Sequence, residues 1–529
     1  MVKQPVVLAI LDGFGISFEK RGNPMAVAKM LNLREIGEYY PGTTLRASGI
    51  EVGLSWGEMG SSEVGHANIG SGLVVYQNLE RFNIAIKNGE FYDLPAWKRV
   101  VHHPEENKSA IHLMGLLSNG GVHAHIDHLF AILRSIKFLK FRGPVFIHVF
   151  TDGQDVAPES ALKFLDLLES EISREKTGII ASVCGRYYAM DRGENWDRIE
   201  QTYRLLTEAV GHTAINATDA IVQSYEKNIK DEYVEPTIVL APSGEPFGVV
   251  KGNDAVIFFN FRADRARQLT RAFTDPNFNK FPRVKLGNLL FVSLTQYGTG
   301  YPMESAFPPE YISTPLAKVI SDAGKKQLHM AEKEKYAHIT YFFNGGVEKE
   351  FPGEDRIIIP SKTVPNYDDA PEMSAVEITD RLIVELEKGV YDFAAVNFAN
   401  GDIVGHTGNF EASVRALEIL DNCVGRIKNK LLELGGILVI TADHGNVEEL
   451  VNLVTGEVDK EHSTNPVPFW IVAPDNRRKV QSLKPVPAAP QGILADVAPT
   501  VLALMSIPQP MEMSGTSLLE VLTECPMTR

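Results

Sequence analysis

Short apolar runs bounded by turn residues recur along the chain, and longer helical patterns lie between them. Apolar runs without polar alternation are typical of parallel strands that are buried on both faces of a sheet. Such runs lie at 5–11, 393–399, 436–442 and 467–474, and helical patterns span 374–389 and 411–436. This alternation predicts a doubly wound α/β domain.

The middle of the chain carries a second set of predicted strands, at 109–118, 144–153, 178–185 and 255–261, again separated by helical stretches. We therefore expect a second α/β domain inserted into the first. The chain is expected to cross between the two near residues 77–80 and in the Pro- and Ser-rich segment 301–315.

Composition places the chain among ordinary globular proteins. Its 529 residues are 44% hydrophobic and 22% charged, which argues against disorder and predicts two or three domains. The net charge of −15 argues against nucleic acid or an anionic membrane as a partner. No run approaches the ~20 apolar residues of a spanning helix, and no targeting segment is recognised. Cys184, Cys423 and Cys525 lack a CxxC spacing, which indicates reduced thiols and a cytoplasmic location.

A glycine-rich run at 57–70 holds the hydroxyl of Ser62 among small residues. We expect a loop there, in which no bulky side chain keeps a substrate oxyanion from the backbone. The same pattern also fits an ordinary turn or a helix cap. A serine of this kind beside two metal ions would suggest phosphoryl transfer through a covalent phosphoserine.

Three predicted strands each deliver an aspartate at or just beyond their carboxyl end, where ligands bind in open α/β sheets. These residues are Asp12, Asp402 and Asp443. A single aspartate there would be read as a helix N-cap, but three in equivalent places favour a binding site.

Histidines complete two candidate metal-binding sets. Asp402 and His406 lie one helical turn apart, and His462 precedes a predicted strand. Asp12, Asp443 and His444 form the second set, to which Ser62 could add an oxygen ligand. Mixed oxygen and imidazole ligands suit manganese, zinc or magnesium-like ions, and two such ions roughly 4 Å apart would clamp an in-line displacement. The alternative is that each histidine is a satisfied core or cap residue.

Arginines follow strand ends of the predicted inserted domain, at Arg186, Arg192, Arg262 and Arg265. Because guanidinium groups bind phosphate and carboxylate bidentately, they favour a small polyanion site, although some could form interdomain salt bridges instead. Lys335 lies in a charged run that composition alone assigns to a solvated face.

Segment 120–128 contains His123, His125 and His128 and has the composition of a metal cluster. It supplies only one carboxylate, however. A helix N-terminus with one histidine facing a phosphate, and the others capping or packing, fits equally well.

Taken together, these motifs make the chain resemble the cofactor-independent (2,3-bisphosphoglycerate-independent) phosphoglycerate mutases of the alkaline phosphatase superfamily. The matching segments occur in family order over nearly the whole chain: LDGFG, GSSEVGHANIGSG, GGVHAHIDHL, GRYYAMDR, FNFRADR, AEKEKY, NGDIVGH, TADHGN and HSTNPVP.

The resemblance implies two manganese ions, or magnesium, cobalt or zinc in their place, and no 2,3-bisphosphoglycerate. It implies Asp12, Ser62, Asp443 and His444 as ligands of one ion and Asp402, His406 and His462 as ligands of the other. It implies substrate contacts from His123, Asp155, Arg186, Arg192, Arg262, Arg265 and Lys335. It also implies an alkaline-phosphatase-like metal-binding domain, 1–77 with 311–529, and an inserted substrate-binding domain, 78–310.

One substrate contact departs from the family pattern. Where the family usually reads Asp-Gly-Arg-Asp, this chain has Gln154 between Gly153 and Asp155. A glutamine cannot supply a cationic fork, so Gln154 is expected to make a weaker contact with the substrate than an arginine would.

The resemblance implies an isomerase of glycolysis and gluconeogenesis that interconverts 3- and 2-phosphoglycerate through a phosphoserine at Ser62. A monomer acting on a small molecule is expected, with the two domains closing over it. The alternative enzyme is a metal-dependent phosphomonoesterase of the same superfamily, with water as the final acceptor. A non-catalytic anion-binding or metal-storage protein is the alternative outside enzymes, but it would need neither Ser62 nor Lys335.

Overall fold

The computed structural model describes residues 4–300, 302–309, 311–479 and 489–523. The chain divides into two compact units, Met1–Gln77 with Tyr311–Arg529 and Asn78–Glu310. Each unit has its own eight-stranded sheet and its own hydrophobic core. Cys184 and Cys423 are buried free thiols, whereas Cys525 lies outside the described residues.

The strands and helices follow one another in the alternation that the sequence predicts. The strands are β1 (Val6–Leu11), β2 (Gly42–Arg46), β3 (Ile111–Leu116), β4 (Val145–Thr151), β5 (Ile179–Gly185), β6 (His212–Ala214), β7 (Thr237–Val239), β8 (Ala255–Phe258), β9 (Leu290–Ser293), β10 (Glu304–Ser305), β11 (Gln327–Glu332), β12 (Glu354–Ile359), β13 (Phe393–Phe398), β14 (Ile437–Thr441), β15 (Val467–Val472) and β16 (Gly492–Ile493). The helices are α1 (Leu31–Tyr39), α2 (Ser62–Ser71), α3 (Asn78–Asn88), α4 (Pro95–Asn107), α5 (Ile126–Phe138), α6 (Ala161–Glu175), α7 (Arg186–Ala189), α8 (Trp196–Glu208), α9 (Ala217–Glu226), α10 (Ala263–Thr274), α11 (Leu316–Asp322), α12 (Ala375–Glu387), α13 (Asn400–Gly405), α14 (Phe410–Leu434), α15 (Val497–Leu504) and α16 (Leu519–Thr523).

The sheet of the first unit has the order β12-β11-β13-β1-β14-β15-β2-β16. The five strands from β12 to β14 are parallel, and β1, the central strand of the eight with β14, is buried along its whole length. Strands buried in this way read as continuous apolar runs, which is why β1, β13 and β14 could be predicted from the sequence.

One orientation was not predicted. The run at 467–474 was expected among the parallel strands, but β15 pairs antiparallel with both β14 and β2. Residues 442–466, all of them described, contain no α-helix that could carry the chain back across the sheet. The chain therefore returns at the same edge, and the connecting segment stays beside the carboxyl end of β14.

The sheet of the second unit has the order β10-β9-β8-β3-β4-β5-β7-β6. Its four central strands, β8, β3, β4 and β5, are parallel neighbours, so their carboxyl ends lie along one edge. The predicted α/β architecture with two sheets is confirmed.

Helices cover the sheets with faces that the sequence periodicity predicts. The long helix α14 begins at Asn409, whose side chain accepts a hydrogen bond from Ala412 N, and ends at Gly435 with a φ of 69°. Its buried residues recur at helical spacing, including Leu420, Ile427 and Leu431. No helix among the described residues combines the length and apolar character that crossing a bilayer requires.

Candidate active site

Three adjacent parallel strands bring three aspartates to one edge of the first unit's sheet. Asp12 directly follows β1, Asp443 follows β14 after one residue, and Asp402 lies on α13, the short helix that follows β13. The register aligns Leu11 of β1 with Phe398 of β13, and Ile10 with Thr441 of β14. All three carboxylates are buried, with at most 3% of each residue exposed.

Ser62 is the first residue of α2, not part of a loop, so the predicted glycine loop is wrong. Ser61 is the N-cap, and its hydroxyl accepts from Val64 N. The glycines that suggested a loop allow close packing instead. A Cβ on Gly65 would lie 2.5 Å from the carbonyl oxygen of Asp443, and one on Gly70 would collide with the carbonyl of Phe343.

The hydroxyl of Ser62 lies among candidate metal ligands. Its Oγ is 3.2 Å from Asp12 Oδ1 and 3.0 Å from His444 Nε2. Lys335 Nζ donates to the same oxygen at 2.7 Å. Ser62 is only 7% exposed, yet its hydroxyl has a cation, a carboxylate and an imidazole within hydrogen-bond distance.

Lys335 is buried, so the assignment of its charged run to a solvated face is wrong for this residue. Its ammonium donates to Asp12 Oδ1 and to Asp402 Oδ2, each at 2.6 Å. Burial opposes the charge, but the carboxylates of Asp12 and Asp402 outweigh it and raise the pKa of Lys335. Lys335 therefore stays an ammonium at neutral pH.

Asp402, His406 and His462 form one candidate metal-binding group. Asp402 Oδ1 is 3.1 Å from His406 Nε2 and 3.2 Å from His462 Nε2, and the two imidazole nitrogens are 3.0 Å apart. Each ring is fixed from behind, because His406 Nδ1 donates to Lys460 O at 2.6 Å and His462 Nδ1 donates to Gly60 O at 2.7 Å.

The contact that each Nδ1 makes with a backbone carbonyl determines whether the Nε2 atom of the same ring carries a lone pair. A carbonyl oxygen can only accept, so each Nδ1 carries a hydrogen and each neutral ring presents its Nε2 lone pair. Two lone pairs and a carboxylate oxygen therefore converge on one point. Such a set of acceptors requires a cation, and its donor atoms fit a divalent metal ion.

Asp12, Asp443 and His444 form the second candidate group, with Ser62 beside it. His444 Nε2 is 3.6 Å from Asp12 Oδ1 and 3.5 Å from Asp443 Oδ2. Although it is buried, Asp443 Oδ2 receives no hydrogen bond from the described residues. An acceptor buried without a donor is costly, and a bound cation would satisfy it.

The electrostatics of the two groups also fit metal ions. Burial opposes ionisation, but the neighbouring His444, His66 and Lys335 hold the pKa of Asp443 well below its usual range, and Lys335 does the same for Asp402. Burial and the charge of Asp443 raise the pKa of Asp12. Three clustered carboxylates share one ammonium, so divalent cations would remove the remaining repulsion.

The second unit gathers a cationic cluster at the carboxyl ends of its central strands. Arg186 directly follows β5 and is only 3% exposed. Its Nη1 contacts Asp152 Oδ1 at 2.5 Å and Asp155 Oδ2 at 2.9 Å, while its Nε has no hydrogen-bond partner among the described residues. A buried guanidinium with an unused donor is suited to bind an anion.

The other predicted arginines and His123 surround Asp264. Arg192 and Arg262 pair with this carboxylate at 3.0 and 3.3 Å, and His123 Nδ1 lies 3.7 Å from it. Arg265 donates to Met190 O at 3.2 Å, and burial together with neighbouring arginines lowers its pKa. Burial and the charge of Arg186 lower the pKa of His123 to about 4, so it is a neutral hydrogen-bonding group at pH 7.

The acidic partners of these arginines lie in the same unit. Arg186 pairs with Asp152 and Asp155, and Arg192 and Arg262 pair with Asp264, whereas Arg265 donates to a backbone carbonyl of the same unit. The excess of positive charge suits a small anion.

The side chain of Gln154 forms a hydrogen bond with a carboxylate of the same unit. Its Nε2 donates to Glu232 Oε1 at 2.5 Å, and its backbone N–H donates to Asp152 Oδ1 at 3.1 Å.

The remaining histidines of segment 120–128 have structural roles: His125 caps α5 by accepting from Asp127 N, and His128 is buried against Phe82 and Phe261.

Two buried polar residues that contact the aspartates escaped the sequence reasoning. His66 lies in the glycine-rich segment four residues after Ser62, and Asn397 is the polar residue within the apolar run of β13. A polar residue in the middle of a buried strand is a usable signal, because it must find a partner.

Comparisons with known proteins agree with the geometry. The family model described as BPG-independent PGAM N-terminus matches residues 82–299. The chain is 47% identical over 521 residues to a 2,3-bisphosphoglycerate-independent phosphoglycerate mutase of Clostridium botulinum, covering 98% of this chain and 100% of that one. The corresponding protein of Moorella thermoacetica is 48% identical over 520 residues, with 98% and 99% covered. A crystal structure of Leishmania mexicana phosphoglycerate mutase at low cobalt concentration aligns with a TM-score of 0.58 at 28% identity, covering 97% of each chain.

Proposed function

The chain belongs to the family of 2,3-bisphosphoglycerate-independent phosphoglycerate mutases, and we propose that it interconverts 3- and 2-phosphoglycerate through a phosphoserine at Ser62. The observation that carries the proposal is the position of the Ser62 hydroxyl. It lies 2.7 Å from the Lys335 ammonium and within 3.2 Å of Asp12 and His444. Such a setting favours the alkoxide of a nucleophilic serine.

Two divalent ions fit the same groups, one held by Asp12, Ser62, Asp443 and His444 and the other by Asp402, His406 and His462. When bound, they would favour the serine alkoxide and offset charge on the transferring oxygens. Manganese is the ion we expect, and the cobalt named for the Leishmania mexicana structure is another divalent ion of the same kind.

Phosphoryl transfer then proceeds in two displacements. Ser62 Oγ loses its proton and bonds to phosphorus, the bond from phosphorus to the glycerate oxygen breaks, and that oxygen takes up a proton in exchange. The other glycerate hydroxyl then loses its proton and attacks the phosphoserine, which restores the Ser62 oxygen. Lys335 Nζ, 2.7 Å from Ser62 Oγ, is placed to donate hydrogen bonds to the oxygens on which negative charge develops.

The cationic cluster of the second unit is proposed to hold the anionic groups of the substrate. Arg186 offers the unused donor of its buried guanidinium, and Arg192, Arg262 and Arg265 add charge. His123 contributes as a neutral group. Burial and the charge of Asp152 raise the pKa of Asp155, which makes this carboxyl suited to carry the proton of a glycerate hydroxyl.

A phosphomonoesterase would use the same serine, so the assay must follow the fate of the phosphoryl group. We expect metal-loaded protein to convert 3-phosphoglycerate to 2-phosphoglycerate without added 2,3-bisphosphoglycerate and with little release of inorganic phosphate. Added isotopically labelled glycerate should stay out of the product, because the transfer is intramolecular. Stoichiometric phosphate release without 2-phosphoglycerate would show that the protein is a phosphatase instead.

The identity of manganese, a cytoplasmic location and a monomeric state stay predictions, as does the absence of nucleic acid among the partners.

A further inference from the structure

His66 is a buried imidazole that contacts both the backbone of Ser62 and the carboxylate of Asp443. It lies one turn after Ser62 on α2 and is fully buried. Its Nδ1 is 2.8 Å from the carbonyl oxygen of Ser62 and 3.2 Å from Asp443 Oδ2. One imidazole nitrogen thus faces the backbone of the nucleophile and a carboxylate of the candidate metal-binding group formed by Asp12, Asp443 and His444.

Asn397 extends this connection to the next strand. It is fully buried on β13, and its Nδ2 donates to Asp12 Oδ2 at 2.7 Å. The same Nδ2 lies 2.9 Å from His66 Nε2. Because an ionised carboxylate only accepts hydrogen bonds, Asp12 fixes which end of the amide points toward it.

The direction of the hydrogen bonds follows from this orientation. Asn397 donates one hydrogen to Asp12 and the other to the lone pair of His66 Nε2. His66 therefore carries its own hydrogen on Nδ1 and donates it to the Ser62 carbonyl, beside Asp443. The chain of contacts runs from β13 through Asn397 and His66 to α2 and the end of β14.

We propose that His66 and Asn397 are positioning residues that hold Asp12, Ser62 and Asp443 in the arrangement needed for one of the two metal ions. The inference rests on the proposed function, since it deepens the account of the same metal centre. Both side chains are fully buried and contact the candidate ligands rather than the solvent. Residues behind metal ligands fix ligand orientation, and their loss typically weakens metal affinity by roughly 10–100-fold.

A purely structural role is the competing explanation, because both residues also fill the core. The chain offers a matched control in His329 on β11, which is equally buried in the same unit. Its Nδ1 lies 2.8 Å from the carbonyl of Ile339 and its Nε2 lies 3.2 Å from the amide oxygen of Gln327. His329 thus has the same kinds of partners as His66, without a carboxylate of the metal-binding groups.

The test measures manganese binding to metal-free protein by equilibrium dialysis, with free Mn²⁺ followed by electron paramagnetic resonance. Wild-type protein should bind two ions. His66→Leu should weaken one of the two by roughly 10–100-fold and leave the other unchanged, and Asn397→Val should act on the same ion. His66→Asn, whose amide nitrogen can take the place of Nδ1, should recover part of the loss. His329→Leu should leave both affinities unchanged.

The outcomes separate the proposals. If wild-type protein binds no manganese, the metal centre of the proposed function fails and this inference with it. If wild-type protein binds two ions but His66→Leu and Asn397→Val keep both affinities, only the positioning role is wrong. An equal loss at both ions, with the same thermal destabilisation in His329→Leu, assigns His66 to the core alone. Should His66→Leu fail to fold, His66→Asn and Asn397→Val give the same comparison.

Discussion

At the scale of single residues, the positive charge on Lys335 prevents it from acting as a base toward the Ser62 hydroxyl. The carboxylates around Lys335 raise its pKa, so the ammonium cannot accept the serine proton at neutral pH. It can only stabilise the oxyanion once the proton has left. Loss of that proton is instead favoured by the proposed metal ion, whose candidate ligands Asp12 and His444 lie 3.2 Å and 3.0 Å from Ser62 Oγ.

Replacing the nucleophile tests this arrangement. We expect Ser62→Ala to lower turnover of 3-phosphoglycerate at least a hundredfold, about 2.7 kcal/mol of activation free energy, because no oxygen remains to form the covalent intermediate. The matched control is Ser61→Ala, which removes the N-cap of the same helix and should cost about 1 kcal/mol of stability with turnover retained. More than a hundredth of wild-type turnover in folded Ser62→Ala protein would rule out Ser62 as the nucleophile.

A second prediction for a single residue concerns Gln154, whose effect on KM depends on its hydrogen-bond partner Glu232. The side chain donates to Glu232, so an arginine at 154 would pair with that carboxylate and have less charge left for the substrate. Gln154→Arg alone should therefore lower KM for phosphoglycerate only slightly. With Glu232→Gln added, KM should fall several-fold while kcat changes little, as expected for a ground-state contact.

Steady-state kinetics on three variants check this prediction: each single substitution and the pair. Glu232→Gln alone is the control for any effect of the carboxylate itself. An unchanged or raised KM in the double variant would mean that position 154 does not face the substrate.

At the scale of elements, the sequence predicts what depends on local pattern and misses what depends on long-range pairing. Strands β1, β13 and β14 are continuous apolar runs, and their carboxyl ends were correctly located. Strand β11 is just as buried but contains Gln327, His329 and Glu332, so its run looked polar. Gln327 is compensated by a hydrogen bond to Ala317 O, which no local pattern reveals.

The candidate site shows the same division. The aspartates and histidines could be proposed from residue type and spacing, and the structure brings both predicted metal groups together. The burial of Lys335 could not be proposed from composition, because it depends on the carboxylates of Asp12, just after β1, and Asp402, on α13, both distant in the chain. The roles of the glycines in α2 also depend on what packs against them.

Gly65 tests the packing of α2. Alanine would favour the helix by up to about 1 kcal/mol, but its Cβ would lie 2.5 Å from the Asp443 carbonyl oxygen. Since backbone cannot yield easily there, we expect Gly65→Ala to lower the free energy of unfolding by about 1–3 kcal/mol. Turnover should fall as well, roughly a hundredfold for a displacement of about 1 Å between Ser62 and Asp443.

The control for Gly65 is Gly287→Ala in the second unit, where a Cβ would meet no atom within 4 Å. Urea unfolding and turnover are measured on both variants. If Gly65→Ala is as stable as wild type or more so, helix propensity dominates and the close contact in the structure does not constrain α2.

At the scale of the whole molecule, the candidate metal ligands come from segments of the chain on both sides of the second unit. Asp12 and Ser62 precede the second unit in sequence, whereas the other ligands follow it. Binding metal therefore ties together two chain segments that fold into one core. An ion that binds these ligands only in the folded protein would add stability by mass action, about 2.7 kcal/mol at a free concentration 100 times Kd.

That stabilisation should depend on pH, with a sign that follows from the two histidines of the candidate group formed by Asp402, His406 and His462. The hydrogen bond to Asp402 raises the pKa of His406, and it raises that of His462 although burial opposes the charge. In metal-free protein, these raised pKa values add stability that is fully present below the unfolded value of about 6.5 and is lost as pH rises through the folded values. Metal binding needs the neutral rings, so protons compete with the ion. Lowering the pH should therefore raise the free energy of unfolding of the metal-free protein and weaken its affinity for Mn²⁺.

The measurement is calorimetric unfolding at pH 8, 7 and 6, with and without Mn²⁺, on protein first treated with a chelator. We expect the increase in Tm on adding Mn²⁺ to be largest at pH 8 and to shrink steadily toward pH 6, with turnover at fixed Mn²⁺ falling in parallel. Raising Mn²⁺ at pH 6 should restore both, because the competition is between ion and proton for the same lone pairs. An increase in Tm that is equal at pH 6 and pH 8 would show that His406 and His462 do not bind the ion, whereas full turnover in verified metal-free protein would remove metal ions from the reaction.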